Sequence, residues 1–233
     1  MDNLPKVWYA IPSARPKGGT LPLWRERGYK IACQVDFGAD PVEVADICWQ
    51  EEYEGYAKTV NALAQHILKV YPETMIVVTG GDDIEPPDAD PLEVQREFAE
   101  EFEDLYGIMQ PTGDYWMVEN GLSCSERVAY SPWMGRAWIM EANEGHGPLW
   151  EGYPHFFVDE ELQRVALKQD VFWQRKELTQ KHNHWQREPG GKRPAHLLNK
   201  DRPELWNEAK LLFESRVRAG FPGSERKHAE INT

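Results

Sequence analysis

Met75-Ile76-Val77-Val78-Thr79 runs straight into Gly80-Gly81-Asp82-Asp83. A short continuous apolar run bounded by turn residues is typical of a strand buried on both faces of a parallel sheet. Its abrupt end in two glycines and two acids places a polar loop at the strand's carboxyl end, where open α/β sheets bind ligands. Two carboxylates there are suited to a divalent cation, which in turn neutralises a pyrophosphate. The glycines let a ligand approach the backbone. An ordinary Gly/Asp turn has the same letters.

The surroundings repeat the strand–helix rhythm of an α/β domain. Val7 to Ile11 reads as a first strand ended by Pro12, with a Pro/Gly/basic loop from Ser13 to Thr20. Leu21 to Gly28 reads as a short helical turn, and Tyr29 to Val35 as a second strand followed by Asp36. Residues 55 to 70 form an amphipathic helix: Tyr56, Val60, Leu63, Ala64 and Ile67 share one face, and Pro72 stops it. Asp90-Pro91-Leu92-Glu93 is a helix start, with Asp90 as cap and Val94, Phe98, Phe102 and Leu105 facing the core. Residues 106 to 158 read as loop-rich. Asp159 to Lys176 and Pro203 to Arg218 read as helices, and the residues from Gly220 as frayed.

The chain has 233 residues, enough for one domain with an elaborated tail. The expected boundary puts the main domain at 1 to 187 and a helical extension at 188 to 233. Cys33, Cys48 and Cys124 show neither metal spacing nor a disulfide framework. No run of about 18 apolar residues occurs, and Met1 to Lys6 lacks the apolar region of a signal peptide. The expectation is a protein of a reducing cytoplasm that does not engage a membrane. Ten Trp suit stacking on sugars or bases, although most belong in the core.

The net charge of −13 is uneven. Residues 163 to 233 carry 15 Lys+Arg against 9 Asp+Glu, a net of +6, which leaves −19 for residues 1 to 162. So acidic a body disfavours broad contact with a phosphate backbone. The basic segment 175 to 202, with eight Lys+Arg against three Asp+Glu, can still meet a phosphate-bearing ligand.

Three further clusters carry candidate chemistry. Lys181-His182-Asn183-His184-Trp185-Gln186-Arg187 offers His184 as a neutral metal ligand and Arg187 as a phosphate partner. It also fits a surface loop. It shares letters with HNH nucleases but lacks the fuller pattern they require. In Phe157-Val158-Asp159-Glu160-Glu161-Leu162, Asp159 is either a helix cap or, with Glu160, a general base for an acceptor hydroxyl. Pro12, Ser13 and Arg15, just after the first strand, are placed to touch a nucleotide, or simply to connect elements.

The order of these clusters resembles the nucleotide-binding half of GT-A glycosyltransferases, especially the family 2-like group. The resemblance covers about residues 7 to 187. It implies an α/β, Rossmann-like GT-A fold, with a mostly parallel sheet between helices. It implies a nucleotide-sugar donor held by Pro12, Ser13, Arg15, Asp36, Lys58, Asn61, Asp82 and Arg187. Asp82, Asp83 and His184 would then hold Mn²⁺ or Mg²⁺, and Asp159 or Glu160 would act as the base of an inverting transfer. One departure stands out, since Gly80 occupies the place of the acid that opens the usual Asp-X-Asp motif. Met109 to Asp114 with Ser131 to Arg136 also looks like GT-A-like proteins of bacteriophages. That likeness implies an acceptor such as the 5-hydroxymethylpyrimidines of modified DNA. A non-catalytic sugar-nucleotide-binding module is the third reading, made thinkable by Gly80.

Overall fold

The structure is a computed structural model that describes residues 6–187, 189–194 and 203–227. The first strand β1 (Val7–Pro12) leads through a 3-10 turn (Pro16–Gly18) into helix α1 (Leu21–Glu26) and strand β2 (Lys30–Val35). Strand β3 (Ile47–Gln50), helix α2 (Tyr56–Val70), strand β4 (Ile76–Val78) and helix α3 (Pro91–Glu101) follow. The second half holds β5 (Ile108–Pro111), α4 (Cys124–Arg127), β6 (Trp133–Gly135), α5 (Arg136–Glu141), α6 (Val158–Lys168), β7 (Phe172–Arg175) and α7 (Pro203–Ala219).

The seven strands form one sheet in the order β3-β2-β1-β4-β6-β5-β7. All neighbours are parallel except β6, which runs antiparallel to both β4 and β5. The fold class expected from the sequence, a mixed α/β fold with a mostly parallel sheet flanked by helices, is the one found. Alternation along the strands feeds two cores. Trp8, Ala10, Ala32 and Val77 pack with α2, α5, α6 and α7 on one face. Tyr9, Ile11, Ile31, Ile76 and Val78 pack with Leu21, Trp24, Val94 and Phe98 of α1 and α3 on the other. Four of the ten Trp, namely Trp8, Trp24, Trp133 and Trp138, are fully buried.

Asp90 caps α3 as expected, accepting the Leu92 N–H at 2.8 Å. Other expectations are corrected. The stretch 106 to 158 is loop-rich as expected, but it also carries the short elements β5, β6, α4 and α5. The helix read as Asp159 to Lys176 ends at Lys168. Asp170 there turns left-handed (φ 59), and the Val171 N–H reaches back to the Ala166 carbonyl at 3.0 Å. Phe172–Arg175 then pairs with β5 as an edge strand, because its aromatic and backbone groups find a partner there that a longer helix would forgo. Asp159 is not the cap of α6: the helix enters through left-handed Phe157 (φ 70), and Asp159 lies within the first turn.

Residues 220–227 are not frayed. Phe221 is buried, the Lys227 N–H donates to the Glu141 carbonyl at 2.7 Å, and Arg226 pairs with Glu141 and Asp104. The expected fraying of 228–233 lies outside the described residues, as do 188 and 195–202 of the basic segment. Among the described residues no helix is long and apolar enough to cross a membrane.

Candidate active site

The strands β1, β2 and β4 all end at the same edge of the sheet, and β1 lies where the order turns from β2 to β4. That is the topological switch point at which an open α/β sheet forms its crevice. A cavity of about 350 Å³ occupies it. Pro12, Ser13 and Arg15 from the first loop, Asp36 after β2, and Asp82 and Asp83 after β4 line it. Asp159 and Glu160 from α6 and His182 and His184 from the later loop complete the polar wall, and Trp206 of α7 adds an aromatic one.

Asp82 is the knot of the site. Its Oδ2 accepts three hydrogen bonds, from the Ser13 hydroxyl and from the backbone N–H groups of Ala14 and Arg15, each at 3.0 Å. Its Oδ1 lies 3.0 Å from Arg15 Nε. Its own carbonyl accepts the Thr20 N–H at 2.9 Å. Gly19, at φ 59, passes so close that any Cβ there would overlap the Asp82 carbonyl oxygen. The loops after β1 and β4 are therefore stitched together side by side. At Gly80 a Cβ would meet the Ile84 side chain at 2.8 Å, the Tyr9 hydroxyl at 3.1 Å and Ser131 Oγ at 3.2 Å. A side chain here, the acid of the usual motif included, would need these neighbours to shift and would hold a backbone conformation (φ 156) that favours glycine.

Asp83 Oδ2 pairs with Arg15 Nη2 at 2.8 Å, and its Oδ1 lies 3.3 Å from His182 Nε2. Burial pushes the Asp83 carboxyl up. The His182 hydrogen bond and the charges of His182 and Arg15 outweigh burial and hold it below its ordinary value. The histidines arrive through an isolated bridge between Ile84 and His182, tightened by the Glu85 N–H to the Lys181 carbonyl (2.9 Å) and the Asn183 N–H to the Asp83 carbonyl (2.7 Å). Burial and the neighbouring His182 push His184 down to about 4, so its imidazole is neutral at pH 7.

Asp159 and Glu160 form the second acidic pair. Burial, the charge of Asp159 and a hydrogen bond to it push Glu160 up from 4.5 to about 10. Burial first, and then the Asp159 carboxylate beside it, thus favour the protonated form of Glu160. Folding raises this carboxyl's proton affinity, so its stabilising contribution is complete below 4.5 and is lost as pH rises towards about 10. Glu160→Gln carries no such proton. In urea melts it is expected to be more stable than the wild type at pH 8, with the difference shrinking towards pH 5. Parallel pH profiles for the two proteins would refute the protonated Glu160.

Three residues assigned to the nucleotide by resemblance stand elsewhere. Lys58 is exposed and pairs with Glu54, just ahead of its helix, at 3.4 Å. Asn61 is buried and holds the 147–151 loop: its Nδ2 donates to the Leu149 carbonyl (2.8 Å) and Glu151 (2.9 Å), and its Oδ1 accepts the Leu149 N–H (3.0 Å). Arg187 pairs with Asp114, donates to the His182 carbonyl and stacks over Trp116 at 4.7 Å. It shapes the histidine loop and does not line the cavity.

Among the described residues no group of three or more His, Cys, Asp or Glu side chains is placed to hold a metal ion. More directly, each oxygen of Asp82 and Asp83 already faces a nitrogen or hydroxyl partner. The residues as arranged do not fit Mn²⁺ or Mg²⁺.

Trp206 is absent from the candidate residues, and Glu161 stands in the acidic segment 157 to 162 with no partner assigned to it. Glu161 falls on the buried stripe of α6 with Val158, Leu162 and Val165, a spacing that was available to be read. It meets Arg216 of α7, which shares a stripe with Ala209 and Phe213. The Glu161 carboxylate takes Arg216 bidentately (2.6 to 3.0 Å) and the Tyr153 hydroxyl at 2.7 Å, while the guanidinium lies 3.6 Å over the Trp150 ring.

No protein-family model matches the chain, and no curated protein is detectably similar to it in sequence. Among solved structures it is similar to a glycosyltransferase involved in the glycosylation of the major capsid of PBCV-1. The identity is 8%, the alignment covers 72% of this chain and 81% of that one, and the TM-score is 0.41. So low a TM-score carries no argument, and function rests on the geometry of the cavity.

Proposed function

We propose that the protein is a glycosyltransferase of the GT-A type that moves a sugar from a nucleotide-sugar donor to an acceptor hydroxyl. The observation that carries this reading is the cavity at the sheet's switch point. It joins a loop wrapped around a buried aspartate to the neighbouring carboxyls of Asp159 and Glu160. Gln34, Asp36 and Tyr53 surround the end of β2 and offer hydrogen bonding and a flat face to a base. Asp159 accepts the proton of the acceptor hydroxyl as that oxygen bonds to the anomeric carbon and the bond to the diphosphate breaks. Glu160, protonated, orients Asp159.

A bare binding module has no use for a buried carboxyl held protonated near neutral pH, and such groups cluster where protons are moved. This favours an enzyme over a sugar-nucleotide-binding protein. Modified DNA finds less support as acceptor. The wall around Asp159 and Glu160 is aromatic and acidic, with Phe156, Phe157 and Trp206 beside the two carboxyls. That lining suits a neutral hydroxyl compound better than a polyanion.

The reading is tested by thermal shift with UDP, GDP, CDP, TDP and their sugar conjugates. A ligand at a hundred times its Kd stabilises the fold by about 2.7 kcal/mol, or roughly 5–10 °C for a chain of this size. One base is expected to give that shift. A flat response to all of them would remove the donor from the reading.

A further inference from the structure

We propose that Arg15 is the resident cation of the Asp82–Asp83 pair, and that it meets the donor's diphosphate without a divalent metal. The inference deepens the glycosyltransferase reading and rests on it for the nature of the ligand.

A carboxylate has about four lone-pair sites. At Asp82 one oxygen, with two of these sites, is saturated by three donors, the Ser13 hydroxyl and two backbone N–H groups, and Arg15 Nε faces the other oxygen. At Asp83 one oxygen faces Arg15 Nη2 and the other His182 Nε2. The guanidinium therefore bridges the two carboxylates where a cation held by both would sit. Mg²⁺ demands near-ideal octahedral oxygen ligation at about 2.0–2.1 Å. It would have to expel the guanidinium and break hydrogen bonds that also position the backbone of residues 13 to 15.

Arg15 is held at both ends, since its backbone N–H binds the same Asp82 whose side chain its own side chain touches. Order of this kind removes the entropy cost that weakens a free surface arginine. A guanidinium has five N–H donors. Those not spent on the acids serve the cavity that Arg15 lines, in the geometry that suits phosphate oxygens. The acidic pair does not stand bare against an incoming diphosphate. The charge of Asp82 is spread over a hydroxyl, two backbone dipoles and the guanidinium, and that of Asp83 over Arg15 and His182.

The test has two arms on the full chain. In the first, Mn²⁺ is titrated into protein and the electron paramagnetic resonance signal of free Mn²⁺ is followed. The wild type is expected to leave that signal undiminished up to about 100 μM protein. Arg15→Ala, with the acids freed, is expected to take up Mn²⁺, and Arg15→Ala combined with Asp83→Asn to lose that uptake. In the second arm, calorimetry with UDP, GDP, CDP and TDP is run in EDTA and again in Mn²⁺. The bound diphosphate is expected to keep its Kd within about threefold between the two, and Arg15→Ala to weaken it at least tenfold. Arg15→Gln serves if Arg15→Ala does not fold.

Stoichiometric Mn²⁺ uptake by the wild type overturns the proposal, and so does diphosphate binding that appears only with metal. If no diphosphate binds under either condition, the glycosyltransferase reading and the phosphate role of Arg15 fall together. The manganese arm then still decides whether Arg15 is the cation of the acidic pair.

Discussion

Glu161→Ala is expected to lower the stability of the protein by about 3–5 kcal/mol, the cost of leaving a buried charge without its partner. Glu161 and Arg216 are only 2% and 7% exposed. With the carboxylate gone, Arg216 stays under Trp150 with only the Pro222 carbonyl at 3.2 Å, and the Tyr153 hydroxyl loses its acceptor. For a chain of this length the loss corresponds to a drop in Tm of roughly 10 °C. Replacing both residues by Met is expected to recover most of it, because the pair gains in Coulomb energy little more than its desolvation costs. Urea unfolding of the two variants measures this. A Glu161→Ala protein within 1 kcal/mol of wild type would mean that the ion pair is solvated and that α7 is not anchored through it.

Asp159→Asn is expected to lower the transfer rate by about 10²–10⁴-fold, the usual worth of a positioned base, without lowering Tm. The two effects separate because Asp159 is not the cap of its helix. Its carboxylate accepts only the Glu160 N–H of its own turn, at 3.3 Å, besides the hydrogen bond with the Glu160 side chain. Losing a true cap costs about 1 kcal/mol. Transfer is followed by release of nucleoside diphosphate once the donor is known, with donor Kd measured alongside. A rate within tenfold of wild type at unchanged Kd would take the base role from Asp159.

The parts of this fold written in local periodicity were readable. The apolar run at 75–79 and the stripe of α2 each state their own period, and the Asp-Pro start of α3 states its cap. The second half was opaque because its strands are three or four residues long and owe their existence to partners far along the chain. β6 is extended because it fills the gap between β4 and β5, and Phe172–Arg175 because β5 offers it an edge. The candidate site divides the same way. Ser13, Arg15, Asp82 and Asp83 follow strands and could be placed at the sheet's edge from sequence. Asn61 and Arg187 have the right chemistry for a ligand, yet their hydrogen bonds go to the 147–151 loop and to the histidine loop. That the guanidinium of Arg15 would fill the space between two acids is a fact of three dimensions, with no trace in spacing.

Gly19 has a bearing on how this gene can change. At most surface turns a glycine tolerates small replacements at modest cost, but here even an alanine methyl has nowhere to go. In a library of all single substitutions, position 19 should keep almost no survivors under selection for activity, while Gly28 and Gly38, with open space around them, face only the backbone cost of their left-handed conformations (φ 89 and 85). A laboratory lineage can therefore change the outer turns at a modest backbone cost. It cannot explore alternatives at the crossing of the two loops unless both are rebuilt at once, and a new donor specificity would have to be evolved around that crossing.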